Sequence, residues 1–313
     1  MKIKDYLSKE ELRVFCERSD WRGAWMVAHN WLMIISVFMI VALWTNPLTI
    51  ILGILLLGGR QLGLAVLMHE AGHKVLFKSP KLNTTIGQWL GAYPILADCE
   101  AYGASHREHH RLAGTHDDPD LPNYEKYPIA LASFRRKITR DLTGRTGSKL
   151  LIGSLSGIGN RMTMRENEKT NSARQGLLVN LLMFLSLAIA GVPELYLLWV
   201  VAYLTAYPLI ARIRQLAEHA NVPGLYESDP RGNTRTTRAN WLERLVLAPN
   251  YVNFHIEHHL LPSVPAWRLK RLHKLLVERG FYAEHPQAIA GGYWDVLKRV
   301  VPEFGGKPVE TTA

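Results

Sequence analysis

Cysteine is nearly absent. Cys16 and Cys99 are the two in 313 residues, and they form neither a C-x-x-C pair nor an even-spaced framework. The chain is therefore expected to fold without disulfides, with both thiols as small buried apolar groups. Phosphate-loop chemistry is missing as well. The stretch Gly144-Arg145-Thr146-Gly147-Ser148-Lys149 lacks the G-x-x-x-x-G-K spacing. Gly153 to Gly159 has no strand–turn–helix context, which excludes a dinucleotide fingerprint. Basic residues are not interleaved with aromatics, so no nucleic-acid partner is expected. The opening Met1-Lys2-Ile3-Lys4-Asp5 runs into further charge rather than a short apolar core, so a cleavable leader is not expected.

Acidic residues are in deficit, 27 against 37 Lys and Arg, for a formal charge of +10. A membrane surface or an acidic protein partner accounts for that excess. Mean hydropathy is only -0.03, but the apolar residues are concentrated in four runs. About 20 apolar residues cross a bilayer, and runs over approximately 24–44, 48–68, 175–192 and 195–212 meet that length. The turns Thr45-Asn46-Pro47 and Pro193-Glu194 join them into two hairpins and carry no Lys or Arg. The other segments are rich in both, including Arg135, Arg136, Lys137, Arg140, Arg145, Arg161, Arg165 and Lys169. By the positive-inside rule both termini face the cytoplasm. Ser8 and Glu11 form a capping box for a short helix over 8–18, and Trp21, Trp25 and Trp31 suit an interface belt. Arg60 interrupts the second run, and it is expected to snorkel to the inner interface or to point into the bundle. Residues 84–97 are apolar but too short to span, which suits a re-entrant or interfacial segment. Residues 265–280 read as a basic amphipathic helix, lying in the interface or packed on the protein's own core.

Histidine is where chemistry concentrates. The chain contains His69-Glu70-Ala71-Gly72-His73, His106-Arg107-Glu108-His109-His110 and His255-Ile256-Glu257-His258-His259. Positions i, i+3 and i+4 share one helix face, so each cluster presents two or three imidazoles together. Neutral imidazole is a preferred ligand for iron, zinc, copper and nickel. His219 follows the fourth run, with Gln215 one turn earlier on the same face. His29, His116, His273 and His285 stand alone and read as surface or structural residues. Glu70, Glu108, Glu218 and Glu257 adjoin the clustered histidines. A neighbour of a ligand points about 100° away on a helix, which suits acceptors that orient imidazoles from behind; a carboxylate bridging two metals is the alternative.

The order, spacing and topology of the three boxes resemble the integral-membrane fatty-acid desaturase and hydroxylase superfamily. The phrases Arg111-Leu112-Ala113-Gly114-Thr115-His116-Asp117-Asp118-Pro119-Asp120 and Leu261-Pro262-Ser263-Val264-Pro265 are similar to bacterial acyl desaturases. The resemblance implies an all-α integral membrane fold forming a single domain over 1–313. Four transmembrane helices in two hairpins would carry a cytoplasmic helical cap, 69–174 and 213–313, that holds a di-iron centre. It implies His69, His73, His106, His109, His110, His219, His255, His258 and His259 as ligands to two irons, and Gln215 as a polar neighbour where some members differ. It implies O2 as co-substrate, a lipid or acyl substrate and a bacterial inner-membrane location. No H-P-G-G haem motif is present, so electrons are expected from a separate ferredoxin-like donor and its reductase.

Acyl desaturation is the favoured reaction, with hydroxylation or carotenoid ketolation as alternatives. The segment His69-Glu70-x-x-His73 also fits a zinc-protease motif, but no Asp occurs in the third or fourth run to complete such a site. A metal transporter would place ligands at the bilayer midplane, where these runs hold no histidine.

Overall fold

Among the described residues, four helical segments are long and apolar enough to cross a membrane, by length and composition: Asp20–Leu43, Pro47–Gly72, Ser172–Ile189 and Pro193–His219. The computed structural model describes residues 3–156 and 166–305, the side chains of 166–171 excepted. Arg161, Arg165, the Lys169 side chain, the 157–159 end of the glycine stretch and everything after Gly305 lie outside the described residues. In chain order the helices are α1 (Lys9–Phe15), α2 (Asp20–Leu43), α3 (Pro47–Gly72), α4 (Pro80–Ile86), α5 (Cys99–Leu112), α6 (Leu131–Leu142), α7 (Arg145–Leu155) and α8 (Glu166–Ile189). There follow α9 (Tyr196–Leu204), α10 (Ala206–His219), α11 (Pro230–Asn233), α12 (Trp241–Val246), α13 (His255–Leu260), α14 (Ala266–Glu278) and α15 (Tyr293–Val300).

The predicted capping box forms at α1, with Ser8 and Glu11 bonding each other's backbone at 2.9 and 3.2 Å. At the first hairpin the Asn46 side chain accepts from the Leu48 and Thr49 amides, and Pro47 occupies the first helical position, where no donor is needed. α3 is the central column and is buried almost continuously from Leu57 to Gly72. Small residues let its neighbours approach: a Cβ on Gly58 would lie 2.6 Å from Ala206, and one on Gly63 would lie 2.2 Å from the Asn30 side chain. The fourth apolar run is broken at Thr205, with φ −120° and ψ −67°. Pro208 is the cause, since it cannot donate to the Leu204 carbonyl and its ring clashes there. The Thr205 amide and Oγ1 both donate to the Val201 carbonyl, at 3.0 and 2.6 Å, so the first half of the run closes there.

Arg60 does not snorkel. It is 2% exposed and points into the bundle, where it donates to the Leu245 carbonyl and to Asn30 Oδ1 at 3.4 Å. These acceptors, supplied by α2 and α12, make an inward guanidinium tolerable. The 84–97 segment continues α4 into a π-helical turn, Gly87–Ala92, and a 3-10 turn, Tyr93–Ile95. It packs along the end of α3, where a Cβ on Gly87 would meet Ala71 at 2.2 Å. Leu269, Leu272 and Leu276 of α14 are buried, so its apolar stripe packs on the protein core. Two short parallel strands, Thr236–Thr237 and Ile289–Ala290, tie the C-terminal region in. Arg235, 1% exposed, donates to the carbonyls of Leu216, Ala217, Ala220 and Asn221 and so closes the end of α10. Cys99 is buried as expected, whereas Cys16 is only half-buried.

Candidate metal centre

Four helices bring the clustered histidines to one place. α3 ends with His69, and His73 is its C-terminal cap; α5 carries His106, His109 and His110; α10 ends at His219; α13 opens with His255 and carries His258 and His259. The nine imidazoles fall into two adjoining groups. His69, His73, His106, His110 and His258 form one, and His109, His219, His255 and His259 form the other. Within each group the ligand nitrogens lie within 4.8 Å of one another.

Helix geometry explains how a single box serves both groups. Residues four apart are separated by only about 40° around the axis, whereas adjacent residues differ by about 100°. His106 and His110 therefore face the first group while His109 turns to the second. His255 and His259 face the second group while His258 turns to the first. The final H-H of the second and third boxes straddles the two groups.

The nitrogens converge edge to edge. His110 Nε2 lies 3.1 Å from His106 Nε2 and 2.9 Å from His258 Nε2. His69 Nε2 lies 3.0 Å from His258 Nε2. In the second group His255 Nε2 is 2.9 Å from His219 Nε2 and 3.1 Å from His259 Nε2. A neutral imidazole has one N–H, so such meetings cannot all be hydrogen bonds. Among the described residues, His73 Nε2 and His258 Nδ1 are buried with no partner at all. Lone pairs aimed at a common point suit a cation with nitrogen ligands.

Several imidazoles are held from behind, which fixes the inward nitrogen as Nε2. His109 Nδ1 is 2.8 Å from Asp118 Oδ1, and Asp118 also accepts from the Tyr124 hydroxyl and from the Asp120 amide at 2.9 Å. His69 Nδ1 is 3.2 Å from Glu70 Oε1, and the other oxygen of Glu70 accepts the Ala266 amide at 2.8 Å. His219 Nδ1 faces the Asn233 carbonyl at 3.2 Å. Glu218 is 3.5 Å from His255 Nδ1 and pairs with Arg214 at 2.6 Å.

Burial and neighbouring cationic groups favour the neutral, ligand-ready form. His73 is pushed down to about 4, chiefly by burial and then by Arg107. His110 is pushed down to about 3, by burial and then by His73 and His109. His106, His255, His258 and His259 are driven well below the usual imidazole range by the same causes. Burial alone would raise Asp118, but hydrogen bonds from His109 and Tyr124 outweigh it and hold the carboxyl below its ordinary value.

The remaining expected partners divide. Glu70 and Glu218 sit behind imidazoles, as the sequence suggests. Glu257 is fully buried but bonds His273 Nδ1 at 2.5 Å, Thr236 Oγ1 at 2.7 Å and the Tyr282 hydroxyl, and none of the nine histidines. Glu108 is a correction: it is exposed and pairs with Arg111 along the surface of α5. Its place between two inward-facing positions turns it toward solvent, where no element covers α5. Gln215 is half-buried, and its side chain forms no hydrogen bond with another described residue. Sequence reasoning missed Asp118, Tyr124, Asn233 and His273. Asp118 lay within a phrase already singled out, but nothing in its spacing ties it to His109.

Val66, Val252, Ala266 and Leu269 line a cavity of about 10 Å³ together with His69, His255 and His258. A larger apolar cleft of about 410 Å³ runs between α2 and α8, walled by Ile34, Phe38, Met39, Met183 and Leu187. It includes none of the clustered histidines.

Comparison with known proteins gives the family. A family model described as fatty acid desaturase matches residues 45–291. The chain is 28% identical over 259 residues to a dihydrorhizobitoxine desaturase of Bradyrhizobium elkanii, covering 78% of this chain and 71% of that protein. It is 29% identical over 237 residues to a beta-carotene ketolase of Paracoccus sp. (strain PC1), covering 73% and 81%. A second such ketolase, from Paracoccus sp. (strain N81106 / MBIC 01143), is 27% identical over 258 residues, 79% of this chain and 86% of the other. With a family model spanning most of its length and the histidine pattern placed in two groups, this chain belongs to the fatty acid desaturase family.

Proposed function

We propose that the nine imidazoles hold two irons and that the protein is an O2-dependent acyl desaturase of a bacterial inner membrane. The carrying observation is the division into two adjoining groups of buried imidazoles, His69, His73, His106, His110 and His258 beside His109, His219, His255 and His259. Bound iron would supply reductive activation of dioxygen, the chemistry needed to remove hydrogen from an unactivated C–H bond. The balance is one –CH2–CH2– unit, O2, two electrons and two protons giving –CH=CH– and two waters.

The chain's own residues set up that reaction. Glu70 and Asp118 hold His69 and His109 in the tautomer that turns Nε2 inward. Val66, Val252 and Leu269 place apolar surface beside the imidazoles and leave little room for water there. Electrons come from a separate acidic donor. The exposed Arg135, Arg136, Arg140 and Arg145 on α6 and α7 offer it a cationic landing surface. In this reading the chain is one domain with four spans, and its termini and both histidine groups lie on the cytoplasmic side.

Carotenoid ketolation or hydroxylation is the second reading, favoured by the similarity to beta-carotene ketolases. Expression in a host of defined lipid composition, followed by mass spectrometry of acyl chains, separates the two. The expected product is an acyl chain two mass units lighter, absent with His258→Ala. An oxygenated product would select the second reading. Full turnover by His258→Ala would sink the metal assignment.

A further inference from the structure

Away from the histidines, the start of α2 and the outer face of α14 enclose a polar cleft of about 470 Å³. Five cationic side chains line it: Arg18, Arg22, Lys78, Arg268 and Arg271. Glu17 is the one carboxylate in the lining, and it is paired with Arg268 at 3.1 Å. Among the described residues none of the other four cations has a carboxylate partner within ion-pair distance. The Nε atoms of Arg18 and Arg268 are buried without a hydrogen-bond partner. Ser19, the cap of the 24-residue helix α2, also lines the cleft, so the positive end of that helix adds to the field.

This concentration of charge is costly unless an anion enters. The cleft is concave, lined by Arg18 from the α1–α2 connection, Arg22 from the first turn of α2, Arg268 and Arg271 from α14 and a lysine from the α3–α4 connection. Planar guanidinium groups match the oxygens of a phosphate, and a dispersed surface charge would not place donors around one volume. The flanking residues indicate where the anion resides. Trp21 and Trp25, on the first turns of α2, are 75% and 53% exposed. Exposed indoles at the end of a span sit at headgroup depth, and Trp267 contributes a third indole to the wall.

We propose that this cleft binds the phosphate of an anionic membrane phospholipid. The proposal rests on the membrane placement given above. The headgroup would bridge α2 to α14, the helix whose N-terminal amide is bonded to Glu70. One lipid would thus brace a wall of the metal centre from its outer side.

Native mass spectrometry of the purified full chain in detergent tests it, with added phosphatidylglycerol, phosphatidylcholine or inorganic phosphate. The variants are Arg22→Gln/Arg271→Gln, both exposed and outside the metal centre, and the control Arg135→Gln/Arg136→Gln on α6. Wild type should retain phosphatidylglycerol in preference to phosphatidylcholine. The cleft variant should lose that retention by roughly thirtyfold, from the loss of two interfacial charges, with metal content and, without added lipid, melting midpoint unchanged. The control should retain it. Equal retention by wild type and cleft variant overturns the site. An equal loss in the control also overturns it, since charge anywhere would then suffice. Inorganic phosphate bound as tightly as phosphatidylglycerol, and lost in the cleft variant, overturns the lipid in favour of a soluble phosphate compound. Wild-type protein recovered in the soluble fraction would overturn the membrane placement and this proposal together, whereas the other outcomes leave the placement standing.

Discussion

Replacing Asp118 by Asn should empty one metal position and spare the other. Asp118 is 4% exposed and receives three hydrogen bonds, from His109, Tyr124 and the Asp120 amide. It touches only one of the nine imidazoles, and that imidazole belongs to the group of four. Asn keeps the volume and one acceptor oxygen but removes the negative charge. It also introduces an amide NH2 that has no acceptor if the His109 ring keeps its orientation. A charge-assisted hydrogen bond contributes roughly 1.5–3 kcal/mol, so His109 becomes a weaker base and loses its preferred tautomer. Removal of such a partner typically lowers metal affinity about 10–100-fold.

The group of four offers one imidazole fewer than the group of five. Iron content under a chelator titration should therefore show two wild-type sites of similar retention and, in Asp118→Asn, one released at about 10–100-fold lower chelator concentration. Tyr124→Phe, which removes a neutral donor to the same carboxylate, should shift that site less. The reasoning fails if both irons in Asp118→Asn resist chelation as in wild type. It fails equally if both are lost together, because the two groups would then not be separable.

Three further outcomes follow from particular contacts. Arg235→Met removes the side chain that closes α10 on four carbonyls; leaving buried acceptors unpaired costs about 1–3 kcal/mol each at most, so the thermal midpoint should fall clearly, and an unchanged midpoint would refute the role. Without metal the protein should lose stability on acidification: His73 and His110, at about 4 and about 3 when folded, stay neutral while the unfolded chain takes up protons below roughly pH 6.5. Stability is then level above that pH and declines towards pH 4, and a flat profile of melting midpoint between pH 7.5 and 5 would contradict it. Donor-limited turnover should fall as salt is raised, because the exposed α6–α7 cations act over a Debye length of about 8 Å at physiological ionic strength; turnover indifferent to salt and to charge reversal at Arg135 and Arg136 would leave that surface without a donor.

What could be read from the chain, and what could not, divides along a physical line. Ligand spacing is an angular property of a single helix. The assignment of His106, His109 and His110 to one inward surface follows from 3.6 residues per turn before any neighbour is known. Run length is equally local, and the apolar stretches around the two hairpins correspond to helices with ends shifted by a few residues, such as Asp20–Leu43 and Pro47–Gly72. Burial is not local. Glu108 and Glu257 hold the same place in the same H-x-E-H-H pattern, yet one is exposed beside Arg111 and the other is sealed under His273, Thr236 and Tyr282. Nothing within the boxes distinguishes them. The difference arises because α13 is enclosed by α14 and the strand at Thr236–Thr237, while α5 has an open side. Arg60 makes the same point, since its inward direction depends on a carbonyl at Leu245, far away in sequence. The imidazoles of the two groups are thus set by helix period, whereas the groups that orient them, Asp118 above all, are set by packing. A carboxylate recruited through the tertiary fold can tune one metal position without altering the box that supplies its ligands.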